Sequence, residues 1–437
     1  MRSNLFPTKR PYTYFASADE QTGKRMSDRK DIGAVESTRK GGLWTLRYTL
    51  INSTYFIAFC TIHACAAVYL LANGFSNTEV GVLLAIANIV SAVFQPFIAG
   101  VIDKKGALTN RRFILISVTI ILLGSVVLLF VKNIKAVIFF VFALIYMIQF
   151  AYQPVMTALC FEYQKAGSKI NYGVARGLGS ASFAVTAAFI GRIIEKRGVD
   201  ILLFVNIAVM AISFIVVFTF IKPKTAENNE NESKKEVAHN NLIDFAKTYP
   251  AFALFLVGTI CFYFAHNMIN DFMIQIIRHL GGGETELGYS NFLQAILELP
   301  VMALIGFILK KISSKNLLIM SGFAFFVKIA ILIFATNMAM MYLSQSFQLF
   351  AYAVFIPAAA YYVSTTMEEA DQVKGQAYVT SAITVGGVFS NLISGVILDH
   401  FGIKVMLIIG TVVCAVGAVT ALIAMTRLKH HNVLKEE

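Results

Sequence analysis

Runs of about 20 apolar residues, the length that carries an α-helix across a bilayer, recur roughly every 35 positions along this 437-residue chain. Twelve can be counted, with cores near 46–72, 78–102, 111–131, 136–163, 170–194, 199–221, 250–278, 285–309, 316–335, 338–366, 374–398 and 402–426. Their length and continuity predict helices, because barrel strands would be short segments of alternating polarity. Composition agrees, with 57% hydrophobic and only 14% charged residues and a mean hydropathy of +0.68. Soluble domains hold roughly 45–50% apolar and 25% charged residues. The expected fold class is all-α, a polytopic membrane protein of twelve transmembrane helices.

Lys and Arg placement predicts the orientation. Residues 1–42 carry Arg2, Lys9, Arg10, Lys24, Arg25, Arg29, Lys30, Arg39 and Lys40, the second loop Lys104, Lys105, Arg111 and Arg112, and the eighth Lys310, Lys311 and Lys315. "NGFSNTE" in the first loop and "TNMAM" in the ninth carry none. Both termini are therefore expected in the cytoplasm, against the local exception of Arg192, Lys196 and Arg197 in the fifth loop. The net charge of +12 then reads as a topology signal and a match to anionic lipid, not as a nucleic-acid footprint, which would need a soluble domain. Residues 1–42 have no apolar core of a signal peptide and read as a disordered cytoplasmic segment. The five cysteines, Cys60, Cys65, Cys160, Cys261 and Cys414, all fall inside spans and read as small buried hydrophobes. Cys60, His63 and Cys65 spread around one helix and do not converge as metal ligands must, so no metal or other cofactor is expected.

The chain repeats itself. "NTEVGVLLAIANIVSAVFQPFIAG" aligns with "ETELGYSNFLQAILELPVMALIG", placing Thr78, Glu79 and Gly81 on Thr285, Glu286 and Gly288, 207 residues apart. "GRIIEKRG" aligns with "GVILDHFG", placing Gly191, Glu195 and Gly198 on Gly395, Asp399 and Gly402, 204 residues apart. The near-equal offsets describe a six-helix unit duplicated in the same orientation. The halves are 43–221 and 250–427, joined by a polar linker, 222–249, with a short cytoplasmic tail, 428–437. Parallel six-helix halves are one repeat design of secondary transporters, with the solute held between them near the midplane.

Polar stripes mark the lining of such a cavity. In "YFAHNMINDFMIQII", 263–277, a spacing of about 100° per residue puts Tyr263, His266, Asn267 and Asn270 on one face with Asp271 at its edge. A charge at that depth costs at least roughly 2.5–3.5 kcal/mol, so a use is expected. The first helix has Tyr48, Asn52, Tyr55, Phe59 and His63 on one face, the fourth Tyr146, Gln149, Gln153, Thr157 and Cys160, and the tenth Gln345, Gln348 and Tyr352. Any one stripe reads equally as interhelical hydrogen bonding, at about 0.6 kcal/mol a bond. Four stripes, one on every third helix, favour a shared polar cavity.

"GVLLAIANIVSAVFQPFIAGVIDKKG" (81–106), "INYGVARGLGSASFAV" (170–185) and "LELPVMALIGFILKKISSKNLLIMSG" (297–322) resemble the major facilitator superfamily, in the branch of lactose permease and nucleoside symporters, over nearly everything from Leu43 to Arg427. The resemblance implies the major facilitator fold, a cavity lined by helices one, four, seven and ten, and a monomer. It implies a gating latch at Asp103, Arg111 and Arg112, with Ala99 where the loop motif has Gly. Arg176 matches the branch's fifth-helix Arg, while its fourth-helix Glu partner is replaced near Thr157 or Ala158. The tenth-helix His and Glu of proton coupling are replaced near Ala351 or Tyr352 and Phe355. Lys328 resembles a basic family position, and Glu298 lies about a turn from the eighth-helix Glu.

Glu298 and Lys328 both fall near mid-membrane by rise per residue and are expected to form an ion pair, either static or proton-coupling. Asp271, with His266 nearby, is a second proton carrier, and Glu162 is expected to pair with Arg176 as a gate. Asn52, Tyr55, His63, Gln149, Gln153, Arg176, His266, Asn270, Gln348 and Tyr352 are the expected solute-binding residues. The expected function is proton-coupled symport of a small polar organic solute, a sugar or nucleoside, across the cell membrane by alternating access. A multidrug or metabolite exporter and a non-transporting receptor are the competing classes. An enzyme is not expected, since no HExxH, GxSxG or P-loop sequence is present.

Overall fold

The computed structural model describes residues 43–103, 108–132, 134–222 and 242–426. Segment 1–42, most of the linker, the tail 428–437, Lys104, Lys105 and the Asp103 side chain lie outside the described residues.

The apolar runs fold as helices at the expected places. They are α1 (Leu43–Ala64 with Ala66–Ala72, bent by 50°), α2 (Asn77–Asp103), α3 (Asn110–Phe130), α4 (Lys135–Lys165), α5 (Tyr172–Arg197), α6 (Ile201–Thr219), α7 (Pro250–Asp271, continuing as Met273–His279) and α8 (Glu284–Lys311). The remainder are α9 (Ser314–Ile333), α10 (Met338–Ser346 and Tyr352–Thr366), α11 (Glu369–His400) and α12 (Gly402–Thr426). Local chemistry starts and stops them. Thr109, Asn171, Ser313 and Asn337 accept the third backbone N–H of α3, α5, α9 and α10, as N-caps do. Gly198, at φ 82°, and Gly402, at φ 78°, make the same left-handed turn after α5 and α11, where a side chain would be strained. The start of α11 lies five residues before its predicted core, because polar residues from Glu369 to Gln372 extend the helix past the apolar run.

Three helices are interrupted where the sequence predicts continuous ones. A π-helical turn, Cys60–Ala64, precedes the bend in α1, α7 breaks at Phe272, and a 3-10 turn, Phe347–Leu349, splits α10. The breaks in α1 and α7 are repeat-related, as are Pro96 and Pro300 inside α2 and α8 and Pro154 and Pro357 inside α4 and α10.

Within the first half α3 packs on α4 and α6; in the second α9 packs on α10 and α12, and α7 on α11 and α12. The halves meet along two repeat-related pairs, α2 with α11 and α5 with α8. Both contacts rest on glycine. A Cβ at Gly81 would strike the Asn391 carbonyl, at Gly395 that of Asn77, at Gly191 that of Glu284, and at Gly288 that of Ala187. These four lie at the end of the bundle away from the termini. Toward the terminus end, Gly100, Gly177 and Gly306, in α2, α5 and α8, have nothing within 4 Å of a Cβ position. The halves are thus in backbone contact at the distal end, and no glycine contact of this kind joins α2, α5 or α8 at Gly100, Gly177 or Gly306.

Candidate functional site

The wall contributed by the first half is built from α1 and α4. The Tyr48 and Tyr55 hydroxyls donate to the carbonyls of Met156 (3.1 Å) and Gln149 (3.2 Å), and Asn52 donates to the Tyr48 carbonyl (3.0 Å). Two members of the first stripe, Tyr48 and Tyr55, therefore bolt α1 to α4. What remains unpartnered is the Asn52 Oδ1, both ends of the Gln149 amide, the Tyr152 hydroxyl and both ring nitrogens of His63. His63 stacks on Phe59 (4.1 Å, 10° between planes), with Tyr146 at 3.7 Å and Phe150 edge-on at 4.5 Å. It sits inside the π turn, a departure from α-geometry that often marks a functional position. Gln153 is half-buried on the same face of α4.

The second half supplies a matching wall from α7 and α10. His266 Nε2 accepts from the Asn270 amide at 2.8 Å, and the ring stacks on Tyr352 at 5.2 Å and 14°. Unpartnered here are His266 Nδ1, Asn270 Oδ1 and the Tyr263 hydroxyl. Each wall thus holds one aromatic-stacked imidazole, His63 on α1 and His266 on α7.

Charge is concentrated on the second half. Glu298 and Lys328 do not touch as a direct ion pair, contrary to the sequence expectation. Gln348 stands between them, accepting from Lys328 Nζ at 2.8 Å and donating to Glu298 Oε1 at 3.0 Å. Facing this chain across the halves, Arg176 lies 4.3 Å above the Phe56 ring and donates to Ser180 Oγ at 2.8 Å. Its charge reaches Glu298 and Tyr352. Asp271 neighbours Asn391 of α11 and Tyr146 of α4. His266 is spent on Asn270 rather than on Asp271. Asn391, fully buried and facing Asp271, belongs to the site; the sequence reading passed over it, although Thr380, Thr384, Asn391 and Ser394 share one face of α11.

Of the expected gating residues, Arg111, Arg112 and Glu162 make these contacts within the first half. Glu162 pairs with Lys222 at 3.2 Å and accepts from Asn110 at 2.9 Å, not from Arg176. Arg111 donates to the carbonyls of Val217 (3.0 Å) and Phe218, and the Arg112 amide bonds to Thr109. The links between halves include two carboxylates met above as repeat partners, beside a bond from the Gln275 amide to Asn77 Oδ1 at 2.8 Å. Asp399, ending α11, accepts from the backbone N–H and side chains of Asn77 and Thr78 at 2.6–3.2 Å. Glu195, near the end of α5, accepts from the Thr285 N–H at 2.9 Å and its hydroxyl at 2.6 Å. Each clasps the N-terminus of a helix in the opposite half, where helix dipole and free N–H groups favour an anion. Arg192, an exception to the charge rule, packs its guanidinium over the Tyr289 ring at 5.3 Å at the same seam.

Neutral donors and acceptors between aromatic faces, with charge on one side, suit binding and release of a polar solute. Among the described residues no three His, Cys, Asp or Glu side chains converge on a metal position. A family model described as the MFS_1 like family matches residues 48–409. The chain belongs to the MFS_1 like family. This MFS_1 like protein is 22% identical over 398 residues to the "Uncharacterized transporter YwbF" of Bacillus subtilis (strain 168), covering 89% of this chain and 96% of that one. Its fold is similar to crystal structures of the nucleoside transporter NupG, as a point mutant (TM-score 0.76) and without it (0.74), each 16% identical over 88% of this chain and all of that one. A bacterial homologue of the human lysosomal transporter Spinster, solved inward-facing and unoccupied, is similar at a TM-score of 0.63 and 13% identity, covering 88% of this chain and 97% of that one. The protein is a multi-pass membrane transporter of the major facilitator type.

Proposed function

We propose that the transporter carries a nucleoside-like solute, a heteroaromatic base joined to a hydroxylated ring, by proton-coupled symport across the cell membrane. One observation carries this reading. Unpartnered buried hydrogen-bonding atoms of Asn52, Gln149, Tyr263, His266, Asn270 and His63 lie among stacked aromatic rings on both walls. Each such atom costs about 1–3 kcal/mol if left unsatisfied, and a planar base with donor and acceptor edges would satisfy several at once while stacking. In this reading Arg176, Glu298 and Gln348 take hydroxyl groups. The likeness in fold to the nucleoside transporter NupG supports this class. The apolar, adaptable cavity of a multidrug exporter fits these orphaned amides poorly.

In this reading Asp271 and Glu298 carry the proton, and Lys328 balances the charge. The halves, 43–221 and 250–427, rock about the solute, with the linker 222–249 and both termini in the cytoplasm. The conformation described above is then inward-open. The test is a proton-flux assay with purified protein in liposomes, a pH-sensitive dye inside, and nucleosides, free bases and sugars added outside in turn. Nucleoside-dependent acidification of the lumen, lost in Asp271→Asn or Glu298→Gln, is the expected result. Proton entry with sugars alone would move the substrate class to carbohydrate, and labelled solute equilibrating without proton movement would refute the coupling.

A further inference from the structure

Gln348 occupies an unusual place. It lies in the 3-10 turn that splits α10 and is 2% exposed. The turn is pinned to α9 from both sides, because Ser344 Oγ donates to the Lys328 carbonyl at 2.6 Å and Ser321 Oγ to the Ala351 carbonyl at 2.8 Å. Its amide orientation follows from its neighbours. An ammonium only donates and a carboxylate only accepts, so Oε1 must face Lys328 and Nε2 must face Glu298, as observed.

That arrangement is complete for only one charge state. A proton on Glu298 turns a charge-assisted bond into a weaker neutral one and adds an O–H that competes with Lys328 for the single amide oxygen. Turning the amide end over end satisfies the new O–H and points the NH₂ group at Lys328, whose ammonium then has no acceptor among the described side chains. We infer that Gln348 is a positioning residue that transmits the protonation state of Glu298 to Lys328 through the orientation of its amide. This rests on the proton-coupled reading above. Three elements contribute groups that face the chain: Arg176 from α5, Tyr263 and His266 from α7, and Tyr352 from α10 itself. The released ammonium is available to a solute oxygen, so proton entry and solute capture become linked events. Glu298 and Lys328 are carried by different helices, α8 and α9, and the amide between them stands at a break where α10 can bend.

Infrared difference spectra of the purified full-length protein, with glutamine side chains isotopically labelled, test this across a pH titration. Two bands are followed, a carboxyl band absent from Glu298→Gln and a glutamine amide band absent from Gln348→Met. Both are expected to share one midpoint, and Lys328→Met is expected to shift that midpoint by about one pH unit, as loss of a nearby charge does. In Gln348→Met the same lysine substitution should still move the carboxyl midpoint, since the two charges act on each other through space, but by clearly less than in the wild-type background. A pH-silent Gln348 band, separate midpoints, or a lysine effect undiminished in Gln348→Met would overturn the inference. Gln348→Asn, one methylene shorter, interrupts the same chain if the methionine variant fails to fold. The spectra need no transport, so absence of proton flux in wild-type liposomes would sink the coupling reading while the amide relay is scored on its own.

Discussion

Gln149 is fully buried, yet its side-chain amide, which lies beside the His63 ring, makes no full hydrogen bond among the described residues. Tyr55, one helix away and equally buried, has its hydroxyl satisfied by the Gln149 carbonyl. The sequence could not separate these two, since both sit on cavity-facing stripes; only the partner found across the helix interface does. They predict opposite phenotypes. Gln149→Leu removes an unsatisfied group and should leave thermal stability unchanged or raised, while solute affinity falls at least about tenfold, equivalent to roughly 1.4 kcal/mol; equilibrium binding and thermal unfolding in detergent check both. Tyr55→Phe should lower stability by about 0.6 kcal/mol, an average interhelical bond, and leave affinity within about threefold. Arg176→Lys gives up the planar stack on Phe56, which a point-charge ammonium makes less well, so solute uptake should drop although the charge is kept.

At the scale of elements, the clasps decide which end is closed. Glu195 and Asp399 are exposed, so each helix-terminus contact is worth only about 1 kcal/mol at most, which suits a closure that must open in every cycle. Replacing both by alanine should shift the population toward an open distal end. The check is the alkylation rate of Ser290→Cys in a background lacking the native cysteines, because Ser290 is fully buried in α8; about a tenfold rise is expected, and no rise would refute the clasp. Gly288→Trp should raise the same rate further, since even a Cβ at Gly288 meets the Ala187 backbone. The repeat alignment had already placed Glu195 on Asp399 and Gly191 on Gly395, so the clasp residues were visible as a duplicated motif. Their partners were not, because each carboxylate reaches a helix in the other half.

For the whole molecule, contact between the halves at one end follows from where glycine lets backbones touch, and orientation in the bilayer decides whether that closed end faces outward or inward. The Lys and Arg distribution predicts inward-open. An impermeant maleimide should label Thr336→Cys on intact cells and Lys310→Cys only after permeabilisation, again without the native cysteines. The reverse pattern would invert the topology and make this conformation outward-open.

The sequence by itself determined the twelve helices, the duplicated halves and the four polar stripes, because each is written in local hydropathy, spacing or self-similarity. Helix breaks in α1, α7 and α10 escaped it, since the apolar runs continue through them and hydropathy does not register a lost backbone hydrogen bond. Only the tertiary structure decided which polar groups are partnered, that Gln348 separates Glu298 from Lys328, that Glu162 serves Asn110 and Lys222, and that the halves are joined by Glu195 and Asp399. Those outcomes depend on distances between helices far apart in the chain. Hydrogen-bond satisfaction is a property of such pairs, and single positions do not encode it.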